Sequence, residues 1–400
     1  MPTDGMFRIL SLDGGGTWSL IQAQALLNLY PDDPPGHELL SRFDLVAANS
    51  GGSIVAGALM SNKRLSGIIQ LYTPEWLRQI FVPLPWYEQL SRLIGLGPRF
   101  STAGKLAGLQ SLFDESASLD LAAIHEKIRK DVGKAPHFLI TSFNYDRERI
   151  AIFRSNRESA AASKAVVLGA TLAEAVHASS NAPINYFKVP AQVSGRRFWD
   201  GGISGTNNPV LVAVVEALAT GAVRENIIVL SIGTGSVFRP LSGGDPPLTQ
   251  GVDEPGLLSD IKKVASSILD DPPDTATFIA HVALGGRVPG RNGEPVTDSR
   301  VIRMSPLIQP VGQPGAWRTP DKLTMQDFKD LVEMDLAVVE TAPIAVIMKF
   351  CEAWMDAAAG RPPDPRAQPV PNQPIRINGD TLACEIGHHR FSAARAAWLA

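Results

Sequence analysis

The 400-residue sequence has only two cysteines, Cys351 and Cys384. Two thiols cannot build a disulfide framework, and these show no metal-ligand spacing, so a reducing compartment is the expected setting. Long apolar runs are also missing. The best candidate for a membrane span, residues 336–350, is interrupted by Glu340 and Pro343 and falls short of the ~18 apolar residues a spanning helix needs. The segment ahead of the first strand carries no basic-then-apolar leader, so no secretory signal is expected and the reading is cytoplasmic, with at most peripheral membrane contact. There is no excess of positive charge. The balance of 37 Lys and Arg against 40 Asp and Glu leaves a net charge of −3, which argues against nucleic acid as a partner. The seven histidines, including adjacent His388 and His389, show no metal spacing, so neither a metal nor a cofactor is expected.

Hydrophobic residues make up 44% and charged residues 19%, the profile of a globular protein with enough chain for one large α/β domain carrying insertions, or for two unequal domains. The 35 glycines and 31 prolines exceed the usual share of ~12% and imply many tight turns. Phe7 to Leu12 reads as a buried strand, Asp13-Gly14-Gly15-Gly16-Thr17 as a glycine loop, and Ala23, Leu26, Leu27 and Tyr30 as one face of a helix. The same grammar repeats with a strand over 43–48, a turn over 49–52 and a helix over 53–60. Further strands are expected at 137–143 and 150–153, paired as a hairpin, at 197–199 and at 227–231, with helices at 166–179 and 209–220. Strands alternating with helices predict a mostly parallel sheet covered on both faces. Four glycine-rich turns fall at strand carboxyl ends, where the chemistry of such sheets gathers. Residues 239–256 read as a polar loop. Six prolines between Pro362 and Pro374 mark an extended linker before a strand-and-helix coda over 375–400.

Three of the turns carry chemistry. Ser50, between a strand and a helix and flanked by Ala48, Gly51 and Gly52, has the arrangement of a nucleophile elbow, although a capping serine fits the same residues. The glycines of Asp13-Gly14-Gly15-Gly16 can turn backbone N–H groups toward an anion, including the oxyanion of acyl transfer. A phosphate loop or a plain packing turn would use them equally. Asp200-Gly201-Gly202 places a carboxylate at a third strand end, where it could accept the serine proton. A turn-forming Asp-Gly is the simpler reading of that pair alone.

Taken in order, Asp13-Gly-Gly-Gly-Thr17, Ser50-Gly-Gly52, Ala178-Ser-Ser-Asn-Ala-Pro-Ile-Asn-Tyr-Phe187 and Asp200-Gly-Gly202, with Asn207-Asn-Pro209 downstream, resemble the motif set of the patatin-like phospholipases over roughly residues 7–236. The resemblance implies a three-layer α/β/α fold with a mostly parallel central sheet, a helical insertion and a C-terminal extension. It also implies a serine acyl hydrolase without a catalytic histidine, acting on phospholipid or a related lipid ester. Carried over residue by residue, Ser50 is the nucleophile, Asp200 the general base, and Gly14, Gly15 and Gly16 the oxyanion loop. The domain layout then reads as an acyl hydrolase domain over 1–360, a linker over 361–374 and an extension over 375–400. The sequence departs from the family pattern at Ala48, where glycine is usual, and at Trp18-Ser19, where a basic residue and glycine are usual. The second departure removes a group that could contact a lipid phosphate.

Other residues compete for roles. His177 could pair with Ser50, though a lone histidine is more often structural. Asp13 could act as a base, but its place before three glycines better fits holding the loop. Trp76, Ile80, Phe81, Trp86 and Tyr87 lie in an aromatic-rich stretch over 76–100 that suits either a lipid-facing lid or ordinary packing. Two rival functions remain: a sugar kinase of the actin-like fold, holding ATP with the loops at 13–17 and 233–236, and a catalytically inactive lipid-binding protein. The kinase reading requires a β-hairpin after the first loop, where residues 18–30 are helically periodic.

Overall fold

A computed structural model describes residues 5–88, 97–156, 169–236, 272–287, 299–308, 310, 319–320, 322–356 and 391–400. An eight-stranded sheet forms its centre. The strands are β1 (Phe7–Leu12), β2 (Leu45–Ala48), β3 (His137–Asn144), β4 (Arg149–Arg154), β5 (Ala191–Val193), β6 (Arg196–Asp200), β7 (Ile227–Ile232) and β8 (Val301–Met304). Five of them run parallel in the order β3-β2-β1-β7-β8. The hairpin partner β4 and the pair β5-β6 are antiparallel additions at the β3 end, so the sheet is mixed. The order reverses at β1, leaving a crevice between the loops that follow β1 and β7.

Alternation along each strand sends side chains to two separate cores. Leu10, Leu12, Val46, Phe138, Ile140, Leu230 and Ile232 belong to the larger one. Ile9, Leu45, Ala47, Leu139, Ile227 and Val229 belong to the other. Helices Leu20–Leu29, Ser50–Met60, Leu172–Ser179 and Thr341–Asp356 cover the first face, and Val210–Ala219 and Pro272–Ala283 cover the second. This is the three-layer α/β/α arrangement expected. The described helix after β1 is Leu20–Leu29, entered through a 3-10 turn at Gly16–Ser19, so the hairpin of the kinase reading does not follow this loop.

Residues 361–374, proposed as a linker, the loop at 239–256 and residues 375–390 of the expected extension lie outside the described residues. The last helix, Phe391–Leu399, packs on the larger core: Trp398 stacks on Phe43 and donates to the Tyr30 hydroxyl at 2.9 Å.

One feature of the pairing positions the site. β4 occupies one edge of β3 from Leu139 to Asn144. β2 pairs with His137 to Ile140 and β6 with Ser142 to Asn144, so both must share the opposite edge. β2 runs parallel to β3 and β6 antiparallel, which points their carboxyl ends at each other across Thr141. The chain leaves β2 into Asn49-Ser50 and leaves β6 at Asp200, so residues 150 positions apart meet without any long side chain bridging a gap.

Candidate active site

Ser50 opens the Ser50–Met60 helix with φ 47°, a left-handed conformation that a non-glycine residue adopts only where its surroundings enforce it. Its N–H donates to Ser179 Oγ at 2.9 Å, and Gly52 N–H donates to the Asp13 carbonyl at 3.1 Å. The neighbouring glycines are required by space. A Cβ on Gly51 would stand 2.6 Å from the Gly16 carbonyl oxygen, and one on Gly14 would stand 2.9 Å from Ser50 Cβ. Ala48, where glycine is usual in the resemblance, is buried in β2 and the turn forms regardless.

The Ser50 side chain stands beside the buried carboxylate of Asp200, where it helps to hold that carboxyl down. Asp200 Oδ1 accepts from Asn49 Nδ2 at 3.2 Å and from Gly202 N–H at 2.8 Å, while Asp200 N–H donates to the Asn181 carbonyl at 3.0 Å. Asn49 is held in turn by Thr141 Oγ1, which donates to its Oδ1 at 2.9 Å. Burial pushes the Asp200 carboxyl above the usual carboxylate range; the Ser50 side chain, the hydrogen bonds from Gly202 and Asn49 and the charge of Lys105 oppose that rise. A base raised in this way is better matched to taking a serine proton than a solvated aspartate.

The glycine loop is tied at its root. Asp13 makes a buried two-point ion pair with Arg303 of β8, Nη1 to Oδ1 at 2.8 Å and Nη2 to Oδ2 at 2.5 Å, which is the loop-holding place expected of it. Gly14 N–H donates to the Asn207 carbonyl at 2.8 Å, and the Gly14 carbonyl accepts from Thr234 Oγ1 at 2.8 Å. No acceptor among the described residues takes the N–H of Gly15 or Gly16. Beyond the loop, Trp18 is buried and its Nε1 donates to the Asp335 carbonyl at 3.2 Å. Ser19 Oγ bonds the Gly16 carbonyl and the Tyr72 hydroxyl, each at 2.7 Å. The Trp18-Ser19 departure therefore swaps a basic residue for packing that fixes the loop against residues 335–338.

His177 is buried, and among the described residues its ring makes no hydrogen bond to Ser50. Its Nδ1 has no partner among the described residues, and burial together with the Lys105 charge holds its imidazole well below the usual histidine range. Beside the glycine loop, an apolar cleft open to solvent is lined by Gly16, Ser19, Ile54, Trp76, Ile80 and Phe81. The aromatic-rich stretch thus divides. Its first half lines this cleft, while Trp86 and Tyr87 are 78% and 57% exposed with their rings edge to face; residues 89–96 are not described. Lys105, Asn49, Thr141 and Arg303 escaped the sequence reading. Only Asn49, adjacent to Ser50, carried a local signal.

A family model of patatin-like phospholipases matches residues 10–214. The cUMP-AMP-activated phospholipase of Escherichia coli is 28% identical over 247 residues, covering 60% of this chain and 68% of that protein. Among solved structures, VipD from Legionella pneumophila aligns over 87% of this chain and 67% of its own at 12% identity and a TM-score of 0.38. Human GIVD cytosolic phospholipase A2 aligns over 39% and 23% at 18% identity and a TM-score of 0.24.

Proposed function

Because the chain belongs to the patatin-like phospholipase family, lipid hydrolases that work through a Ser-Asp dyad, we propose that Ser50 is its nucleophile and Asp200 its general base. The observation that carries this assignment is the meeting of the β2 and β6 carboxyl ends, which sets the Ser50 turn against the buried Asp200 carboxylate, with the neighbouring Asn49 donating to that carboxylate at 3.2 Å. In the first half-reaction Asp200 takes the hydroxyl proton as Ser50 Oγ attacks the ester carbonyl. The oxyanion forms against the loop of Gly14, Gly15 and Gly16. Gly15 and Gly16 supply the N–H donors, and Gly14 supplies the room. Collapse expels the alcohol, which recovers the proton from Asp200 and leaves an acyl-Ser50 ester. Water then loses a proton to Asp200 and attacks the ester; collapse releases the fatty acid and expels Ser50 Oγ, which recovers the proton from Asp200.

The apolar cleft beside Gly16 is proposed to take the acyl chain, since its wall is aliphatic and aromatic and includes Gly16 of the oxyanion loop. The exposed pair Trp86 and Tyr87 is proposed to touch the lipid surface from which that chain is drawn. Ile184 and Val189 are exposed on the neighbouring segment, which the Lys188–Glu88 ion pair ties to the same rim at 2.6 Å. Tryptophan and tyrosine favour the lipid interface. Among the described residues, no helix is long and apolar enough to cross a membrane.

The test is labelling with a fluorophosphonate probe. The parent should label and the Ser50→Ala protein should not; labelling that persists after Ser50→Ala overturns the assignment. Because the Escherichia coli relative is named for activation by cUMP-AMP, the reaction is run with and without that nucleotide, so that a silent basal form is not read as inactivity.

A further inference from the structure

Lys105 lies on the Thr102–Phe113 helix and has no exposed surface. Its described contacts are a hydrogen bond from Nζ to the His177 carbonyl at 3.1 Å and the face of the Phe187 ring, 4.1 Å from Nζ to the centroid. A buried ammonium on a carbonyl and a ring is poorly compensated for the water it has lost, so a methionine of similar length would pack there at less cost.

Its position gives that cost a return. The Leu172–Ser179 helix ends at the site: Ser179 Oγ accepts the Ser50 N–H, and two residues on, the Asn181 carbonyl accepts the Asp200 N–H. Lys105 caps a carbonyl of the last turn of that helix, where a cation is favoured, and its charge reaches Asp200. We propose that Lys105 is a positioning residue for the reaction, a buried side chain that anchors the helix end carrying the contacts of both dyad residues. The proposal rests on the Ser50–Asp200 reading.

The charged and titratable groups facing this region are few. Asp200 stands at the end of β6 and His177 on the capped helix. Glu75 and Arg78 on the Pro74–Ile80 helix, and Asp114 and Glu115 past the end of the Lys105 helix, are exposed. Glu174 is engaged in the N-terminal capping box with Thr171. Burial holds Lys105 itself well below the usual lysine range, against the pull of Asp200. The sign follows. A positive Lys105 favours ionised Asp200, so removing it raises the Asp200 carboxyl further and starves the reaction of base on the acid side. At alkaline pH Asp200 is ionised in either protein and Lys105 loses its own charge, so the difference left there belongs to the anchor.

The test compares kcat/KM from pH 5.5 to 9.5 for the parent, Lys105→Met and Lys105→Gln, with folding followed by thermal melting. Glutamine keeps a donor for the His177 carbonyl but no charge. At the alkaline end Lys105→Met should stay about tenfold or more below the parent and Lys105→Gln should come within about threefold of it, with melting temperatures no lower for Lys105→Met. A Lys105→Met protein that reaches the parent at the alkaline end, or a Lys105→Gln protein no better than Lys105→Met there, overturns the proposal. Asp200→Asn is run alongside. If it turns over substrate at the parental rate, the dyad reading has failed, and the Lys105 profiles are judged separately.

Discussion

The Gly15→Ala substitution tests the oxyanion loop through one clash. A Cβ at position 15 would stand 2.3 Å from Thr234 Oγ1, 2.6 Å from its Cβ and 2.7 Å from its Cγ2. Non-bonded carbons settle near ~3.5–4.0 Å, so one partner must move by about 1 Å. Thr234 cannot simply retreat, because its hydroxyl donates to the Gly14 carbonyl at 2.8 Å and would drag the same loop. A displacement of about 1 Å at donors aimed at a transition state costs on the order of 10²-fold in rate. Gly15→Ala should therefore lower kcat about 100-fold with KM within about threefold of the parent, and lower stability by about 1–3 kcal/mol. Adding Thr234→Gly removes all three clashing atoms. The single Thr234→Gly change should cost about 1 kcal/mol for the lost hydroxyl bond, and the double variant should recover at least about tenfold in kcat, a coupling of about 1.4 kcal/mol. The assay is steady-state hydrolysis of a chromogenic fatty acyl ester by all four proteins, with a thermal melt of each. Full kcat in Gly15→Ala, or a loss that Thr234→Gly fails to relieve, refutes the argument.

Asp200→Asn should abolish turnover by about 10³-fold or more while leaving the melting temperature unchanged or higher. The folded carboxyl is raised above its unfolded value, so its contribution to stability is present at low pH and lost as pH rises through the folded value. At neutral pH an ionised Asp200 is a cost that asparagine lacks; a clear fall in melting temperature at pH 8 would contradict this. Replacing Trp86 and Tyr87 together by aspartate should weaken sedimentation with phospholipid vesicles about tenfold or more and leave hydrolysis of a short soluble ester unchanged. Equal sedimentation of parent and variant would remove this rim from the lipid contact.

The turns were legible from sequence because they rest on local rules: glycine where the backbone must come close, a serine between a strand and a helix, an aspartate before two glycines. The first strand was predicted at its observed bounds, and the 137–143 and 150–153 hairpin within a residue at each end. What was illegible is what pairing decides. That β2 and β6 share one edge of β3 and abut at Thr141 follows only from the register of three strands. Lys105 sits among small residues in Thr102-Ala-Gly-Lys-Leu-Ala-Gly108, where a single lysine reads as a solvated helix position. Arg303 lies in a four-residue strand with nothing local to announce its partner 290 positions away.

The distribution of unfavourable features is itself an argument about where the chemistry lies. A serine at φ 47°, a buried carboxylate held above its usual range and a buried ammonium without a described carboxylate against it each cost stability where they stand. In this chain they converge on the point where β2 meets β6. The contrast is the Asp13–Arg303 pair, buried to the same degree but matched charge for charge with two parallel hydrogen bonds. Breaking one partner of such a pair leaves a bare buried charge and is expensive. That makes the root of the glycine loop rigid, while the carboxylate beside it stays raised by burial in spite of its hydrogen bonds. A rigid donor loop facing a deliberately uncomfortable acid–base group is the division of labour that acyl transfer needs. The donors must not reorganise as charge appears on the oxyanion, and the base must gain by accepting a proton.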